Sequence, residues 1–172
     1  MKSHGLTLLE LLITITILCI VLTIGIPSFT KQISETRTKT ATLALLEAIE
    51  TTRSIAASLD KRTILIATNK KWHQGWTLFV DNNADGTLDQ GDEIIQVRKE
   101  LDAVMTTASS PMNSYIAFVG TGEGRQLVTN GFLSGNIKIC PKIKGEGYSL
   151  ILSKGGRTRL NKLTNADCSA MR

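Results

Sequence analysis

Two arginines near the end of the chain, Arg157 and Arg159, have the charge and the spacing to bind phosphate groups. They follow Lys154 and two glycines, Gly155 and Gly156, which permit a tight turn that projects the next side chains outward. Side chains two positions apart lie on one face of an extended strand, so both guanidinium groups would point the same way. A planar guanidinium pairs well with phosphate, and this pattern suits the regularly spaced phosphates of a nucleic acid backbone.

The basic charge of the chain is concentrated at this end. Residues 136–172 contain eight Lys and Arg against two acidic residues, a net charge of +6, whereas residues 1–135 contain 12 Lys and Arg against 13 Asp and Glu. The lysines that would widen the basic surface are Lys138, Lys142, Lys144 and Lys162. Such a surface predicts an anionic partner, while a charged hairpin that only keeps the protein soluble remains the alternative.

A second group of chemically active residues forms an acidic segment that starts at Asp81. Asp81, Asn83, Asp85 and Gly86 occupy the first, third, fifth and sixth positions of a calcium-binding EF-hand loop. The twelfth position holds Asp92 instead of the bidentate glutamate, and no convincing helices flank the segment. Because Asn, Asp and Gly are also turn formers, we favour a polar hairpin loop without metal and keep calcium binding as the alternative.

Residue patterns typical of enzymes are missing from the sequence. Two histidines, His4 and His73, are too few for a His-rich metal site, and neither a Gly-x-Ser-x-Gly motif nor a complete phosphate-binding loop occurs. The glycine-rich segment Gly120–Gly124 lacks the last glycine of the dinucleotide fingerprint and predicts a turn. We therefore expect no enzyme activity, no cofactor, and no catalytic or metal-binding residue.

The opposite end of the chain has a short basic leader followed by an apolar helix. From Leu6 to Ile26 the only charged residue is Glu10. At about 1.5 Å per residue this helix spans roughly 31 Å, the thickness of a bilayer core. An ionised carboxylate in hydrocarbon costs at least about 3 kcal/mol unless it meets a partner, so Glu10 predicts a specific contact. A simple membrane anchor whose glutamate reaches the lipid headgroups is the alternative.

The small residue of this segment, Gly5, precedes the apolar stretch, whereas a secretory signal places its cleavage site after it. Gly5, the apolar Leu6, Glu10 and Pro27 together resemble the class III signal of type IV prepilins and type II secretion pseudopilins. The family usually has Phe in place of Leu6. The resemblance implies cleavage after Gly5 by a prepilin peptidase and N-methylation of Leu6. It also implies a single-pass helix in the bacterial inner membrane with a periplasmic head, in which Glu10 faces the N-terminus of another pilin subunit.

The three cysteines divide according to this topology. Cys19 lies in the apolar helix, where it is most simply a small packing residue. Cys140 and Cys168 lie in the part of the chain that the topology places outside the cytoplasm, where disulfides form. We predict a Cys140–Cys168 bond that ties the C-terminal tail to a strand, with two free thiols as the alternative.

The remaining sequence predicts an α+β, pilin-like fold. A helix from about Leu6 to Leu59 is expected, kinked at Pro27, with Trp72, Trp76 and Phe79 as core or sheet residues. One helix face would carry Phe29, Ile33, Thr40, Ala44, Ala48, Ile55 and Leu59. About seven antiparallel strands would pack on the second half of the helix, at residues 63–68, 75–80, 93–98, 115–119, 125–129, 136–140 and 148–153. The expected divisions are a leader at 1–5, a transmembrane half-helix at 6–27, an amphipathic half-helix at 28–60 and a head at 61–172.

A long N-terminal helix before an all-β head resembles the minor pilins and pseudopilins of the GspH/FimT family. Two segments make the resemblance to this family more specific. They are the strand Trp76–Val80, which leads into Asp81, and the Gly-Arg-Thr-Arg sequence Gly156–Arg159. The second of these resembles the Gly-Arg-x-Arg motif with which FimT-like minor pilins bind DNA in natural transformation. The resemblance implies a minor pilin of a surface type IV pilus that binds DNA without sequence preference through Arg157, Arg159 and nearby lysines. A pilus-priming minor pilin or a type II secretion pseudopilin with a purely structural role is the alternative.

Overall fold

A computed structural model describes residues 7–101 and 103–171, without the side chains of residues 24–28. Its first element is one long helix, α1 (Leu8–Leu59). Thr7 caps the start of α1, because its hydroxyl oxygen accepts a hydrogen bond from Glu10 N at 3.2 Å. Asp60 ends the helix with a left-handed backbone (φ 50°).

Some of the N-terminal predictions fall outside this description. Gly5 and Leu6, with the cleavage site between them, are outside the described residues. Pro27 is one of the residues whose side chains are not described, so the kink at this position stays a prediction.

Eight strands are found among the described residues. They are β1 (Thr63–Ala67), β2 (Trp76–Val80), β3 (Glu93–Arg98), β4 (Val104–Ala108), β5 (Tyr115–Phe118), β6 (Gly135–Pro141), β7 (Gly147–Leu152) and β8 (Thr158–Leu163). One sheet has the order β3-β2-β1-β5 and the other the order β4-β6-β7-β8, with all neighbours antiparallel. Two 3-10 turns, Thr68–Lys70 and Trp72–Gln74, join β1 to β2, and a short helix, α2 (Asn165–Ser169), follows β8.

The predicted long helix and antiparallel strands are confirmed, with two differences in the strands. Residues 125–129 do not form a strand, because the backbone turns back on itself where Asn130 N donates to Gln126 O at 3.1 Å. Two strands without a predictive sequence pattern, β4 and β8, are the edges of one sheet. An edge strand is half exposed and carries polar side chains, so its apolar pattern is weak.

The second half of α1 packs on both sheets, through a different face from the predicted one. The buried residues are Thr38, Ala41, Thr42, Leu45, Ala48, Ile49, Thr52 and Ala56. Phe29, Ile33 and Leu59 are exposed, so the predicted face was wrong apart from Ala48 and the half-buried Ala44 and Ile55. Threonines are tolerated in the buried face because each hydroxyl donates to the carbonyl four residues earlier, at 2.6–2.9 Å.

Trp72, Trp76 and Phe79 are buried, as predicted. Trp72 packs in the main core between α1 and the sheets, and its Nε1 donates to Met112 O at 2.7 Å. Phe79 belongs to a smaller cluster with Ile64 and Ala117 on the other side of the first sheet. The tryptophans are therefore structural residues.

The C-terminal tail is attached to the second sheet by a disulfide between Cys140 and Cys168, the pair that the sequence predicts. Cys140 lies in β6 and Cys168 in α2, with their Cα atoms 5.6 Å apart. The start of α2 is closed by a capping box, in which Thr164 and Asp167 each bond the other's backbone N–H. The tail therefore covers part of the outer side of this sheet.

The first part of α1 extends away from the head and exposes its apolar side chains. Large residues between Leu8 and Leu22 are roughly half exposed or more. Within residues 7–101 and 103–171, no helix has an apolar stretch long enough to be identified as a membrane crossing.

Candidate nucleic-acid interface

The turn between β7 and β8, residues 153–157, is a tightly bonded hairpin. Ser153 N donates to Arg157 O at 3.0 Å, and Gly156 N donates to Ser153 O at 2.9 Å. The Ser153 hydroxyl also donates to Arg157 O and accepts from Arg157 N, at 3.0 and 3.1 Å. Gly156 has a φ of +77°, the left-handed conformation that glycine adopts without strain.

This turn is docked against the end of α1. Arg53 Nε donates to Gly122 O at 2.9 Å, and Arg53 Nη2 lies 3.5 Å from Gly155 O. Gly156 packs so closely that a Cβ atom at this position would lie 2.1 Å from Gly122 O. Arg53 thus positions the basic turn, a role that the sequence does not signal because its partners are 69 and 102 residues away.

Strand register decides which side of the sheet each basic residue occupies. Arg159 pairs with Ile151, on the side opposite the core residues Leu150 and Leu152. Because the hydrogen bonds between Ser153 and Arg157 continue the same register, Arg157 lies on this outer side as well. Arg157, Arg159 and Lys154 are all exposed, and we call them the distal basic surface.

Lys138 lies on the same outer side, two strands away. It pairs with Ser149, which in turn pairs with Asn161, two residues beyond Arg159. At a strand spacing of about 4.8 Å, Lys138 is on the order of 10 Å from Arg159. The pKa of the nearby Asp167 carboxyl is lowered mainly by hydrogen bonds from Thr164, with a smaller contribution from Lys138. Lys138 therefore faces an acidic neighbour as well as solvent.

Lys142 and Lys144 lie in the turn between β6 and β7, at the other end of the sheet from the distal basic surface. Lys142 lines a groove with Ile33 and Ser34 of α1, whereas the distal turn contacts Arg53. Ser34 and Arg53 are separated by about five helical turns, roughly 28 Å. The expectation that these lysines widen one basic surface was therefore wrong.

Lys162 lies on the opposite side of the sheet from Arg159. It pairs with Tyr148, on the side that faces the core, and its ammonium group forms an ion pair with Glu146. The hydrogen bond between the two side chains raises the pKa of Lys162 and lowers the pKa of Glu146. Lys162 is thus neutralised and directed away from the two arginines.

The three residues of the distal basic surface differ from these other cations. Among the described residues, no acidic side chain forms an ion pair with Lys154, Arg157 or Arg159. Their charges are consequently available to an external anion.

The architecture is that of pilin-like proteins: a long N-terminal helix with an exposed apolar beginning, and a β-sheet head packed on its second half. A family model described as "Type II transport protein GspH" matches residues 41–156, and a second, described as "Prokaryotic N-terminal methylation motif", matches residues 1–26. The chain belongs to the GspH family. Membership implies association with other pilin subunits and with a prepilin peptidase, as expected from the sequence.

Solved structures with a similar fold include a minor pilin and a minor pseudopilin. The type IV minor pilin FimU of Pseudomonas aeruginosa is 19% identical over 74% of this chain and 90% of that chain, with a TM-score of 0.57. The minor pseudopilin EpsH from the type 2 secretion system of Vibrio cholerae is 14% identical over 73% of this chain and 96% of that chain, with a TM-score of 0.52. None of the curated protein sequences compared with the chain matches it. Both the family and the fold are those of structural pilins.

Proposed function

We propose that this protein is a minor pilin of a type IV pilus that binds extracellular DNA for uptake in natural transformation. The observation that carries the proposal is the distal basic surface, in which Lys154, Arg157 and Arg159 are exposed on a hydrogen-bonded turn without acidic partners among the described residues. The turn lies at the C-terminal end of the head-bound half of α1, far from the N-terminus. An inner-membrane helix and a periplasmic head, assembled later into the pilus, would present this surface outward.

The expected binding is to the phosphate backbone. Guanidinium and ammonium groups contact phosphates without reading bases, so binding should tolerate any sequence. Three such contacts predict an affinity that falls about 40-fold between roughly 50 and 200 mM salt, since each contact contributes a slope of about −0.9 on double-stranded DNA. A single subunit should therefore bind weakly at physiological salt.

The double substitution Arg157→Ala with Arg159→Ala should remove two of the three phosphate contacts. We expect the slope of log affinity against log salt to fall from about −2.7 to about −0.9, and DNA binding at low salt to become at least about tenfold weaker. The measurement is fluorescence anisotropy of labelled duplex DNA with the full-length chain in detergent, repeated as transformation frequency in cells.

A matched control is the pair Lys142→Ala with Lys144→Ala, which removes the same charge from the opposite end of the same sheet. This control should bind DNA like the wild-type chain. Equal losses in both variants would indicate that only net charge matters, and an unchanged arginine variant would rule out the distal basic surface as the DNA site.

We also propose that Glu10 is an assembly contact. It lies in the first turn of α1, where cleavage after Gly5 would leave a new α-amino group at Leu6 on each subunit. A neighbouring positive terminus would offset the free-energy cost of placing an acidic side chain in an apolar environment.

Substitution Glu10→Leu should therefore lower incorporation into filaments by about tenfold or more. Immunoblotting of sheared pili against whole-cell protein measures this fraction. Glu47→Gln, which removes an exposed acid from the head-bound part of α1, should leave incorporation unchanged. Normal incorporation of the Glu10→Leu protein would contradict the proposed contact.

The second candidate function is a structural one, as a pilus-priming subunit or a type II secretion pseudopilin. The similarity of the fold to both FimU and EpsH supports this structural role as an alternative. In that case the distal basic surface would contact another subunit, and the double arginine substitution would lower filament assembly or secretion while DNA binding stayed unchanged.

A further inference from the structure

The loop between β2 and β3 begins with a buried acidic residue, Asp81, of which only one carboxylate oxygen has a partner. Asp81 is 2% exposed, and its side chain is fully buried. Its Oδ2 accepts a hydrogen bond from Gly86 N at 3.0 Å, whereas its Oδ1 is buried without a hydrogen-bond partner. Burying an ionised oxygen without a partner costs several kcal/mol, on the order of a lost charged hydrogen bond or more.

The nearest cation does not satisfy this oxygen. Arg62 Nη1 forms an ion pair with the other oxygen, Asp81 Oδ2, at 3.7 Å, and donates a hydrogen bond to Ala84 O at 3.0 Å. Lys61 Nζ donates to Asn82 Oδ1 at 2.9 Å. Both cations donate to other atoms of the loop, and Asp81 Oδ1 is left without a hydrogen-bond partner.

Two further carboxylates in the same loop accept hydrogen bonds from one side-chain amide. Asn83 Nδ2 donates to Asp85 Oδ2 at 3.0 Å and to Asp89 Oδ2 at 2.9 Å. The backbone N–H and the hydroxyl of Thr87 also donate to Asp85 Oδ1, at 2.7 and 2.8 Å, and orient this carboxylate. A divalent cation would hold two such carboxylates together more strongly than a neutral amide does.

We propose that the loop from Asp81 to Asp92 binds one calcium ion, with Asp81 Oδ1 as the buried ligand. The other oxygen donors are the side chains of Asn83, Asp85, Asp89 and Asp92. Among the described residues no three acidic, histidine or cysteine side chains lie close enough together to hold a metal. The proposal therefore requires the exposed carboxylates of Asp85 and Asp89 to exchange their hydrogen bonds with Asn83 for the ion. This assignment replaces the metal-free hairpin that the sequence alone favours, and the buried oxygen of Asp81 is the reason.

Calcium fits this donor set better than magnesium. All five donors are oxygens in one loop, and calcium accepts six to eight oxygen ligands in irregular geometry, whereas magnesium requires a near-ideal octahedron. The aspartate at the twelfth position is shorter than the usual glutamate, and two cations lie on the rim. Both features predict weak binding, with a dissociation constant of about 0.1–1 mM as in extracellular calcium modules.

The ion would stabilise more than its own loop. Gly86 packs against Leu127, which covers the cluster of Ile64, Phe79 and Ala117 on the outer side of the first sheet. An ion that fixes residues 81–92 would therefore also stabilise the packing of Leu127 on this cluster. We expect calcium to raise the melting temperature of the protein by about 3–6 °C at ten times the dissociation constant.

The test is calorimetric titration of calcium chloride into the full-length, metal-stripped chain in detergent, together with thermal unfolding followed by tryptophan fluorescence. The wild-type chain should bind one calcium ion, and magnesium chloride at the same ionic strength should give no comparable shift in melting temperature. Asp85→Asn and Asp89→Asn change exposed ligands with little change of shape and should each weaken binding about tenfold. Glu93→Gln, the same charge change directly after the loop, should bind like the wild-type chain.

Three results would overturn the proposal. They are the absence of binding up to about 10 mM calcium, an Asp85→Asn protein that binds as tightly as the wild-type chain, and an equal stabilisation by magnesium. Each can be obtained with folded protein, because the substituted residues are exposed and the buried Asp81 is left intact.

Discussion

Replacing both Cys140 and Cys168 by serine is expected to lower the free energy of unfolding by about 3–4 kcal/mol. The bond joins residues 28 positions apart, and the loop-closure entropy that such a link removes from the unfolded chain is of this size. Helix α2 has only five residues and cannot persist without attachment, so the tail should detach from the second sheet. For a chain of this length the melting temperature should fall by about 10 °C.

Tryptophan fluorescence is a suitable measurement, because Trp72 and Trp76 are both buried in the main core. Cys19→Ser is the matched control, since Cys19 is exposed and outside the disulfide. It should unfold at the wild-type temperature. A double variant that melts within about 2 °C of the wild-type chain, or an unreduced denatured wild-type chain with three reactive thiols instead of one, would contradict this account.

The second large effect is expected from Gly156→Ala. The left-handed backbone at this position costs a non-glycine residue about 1 kcal/mol. The added Cβ would also lie 2.1 Å from Gly122 O, a backbone atom that is held by Arg53 and cannot retreat freely. Together these effects should destabilise the head by about 2–4 kcal/mol and displace the turn that carries Arg157.

The neighbouring glycine provides the control for this substitution. A Cβ atom on Gly155 would meet nothing within 4 Å, so Gly155→Ala should change the stability by less than about 0.5 kcal/mol. If the distal basic surface binds DNA, Gly156→Ala should weaken binding and Gly155→Ala should not. Equal melting temperatures for the two variants would show that the close contact with Gly122 is not needed for stability.

Features with a strong local pattern could be predicted from the sequence. The strand bounds from β1 to β3 follow from short runs rich in β-branched and aromatic residues between turn formers, and the helix extends to Leu59 because no breaker interrupts its second half. The buried face of α1 could not be predicted, because Thr38, Thr42 and Thr52 are polar by type. They become compatible with the core only through hydrogen bonds to their own helix.

The acidic loop that starts at Asp81 also has a sequence pattern that is ambiguous without the tertiary structure. The spacing of Asp81, Asn83 and Asp85 is visible in the sequence, but turn formers give the same pattern. Only the fold shows that Asp81 is buried with one oxygen unpaired.

By itself, the sequence determined the kind of chain this is: a prepilin-like N-terminus, a long helix, a β-rich head and a pair of cysteines able to join. These properties depend on composition and on residue patterns within short segments of the chain. They do not require contacts between residues that are distant in sequence. The tertiary structure decided which basic residues can act together. Lys142 and Lys144 lie in the turn between β6 and β7, at the end of the sheet away from Arg157 and Arg159. The alternation of side chains along β8 places Lys162 on the other face of the sheet from Arg159. Contacts of Arg53 and Gly122 with a turn far along the chain hold Arg157 at the tip, because packing joins residues that no local pattern relates.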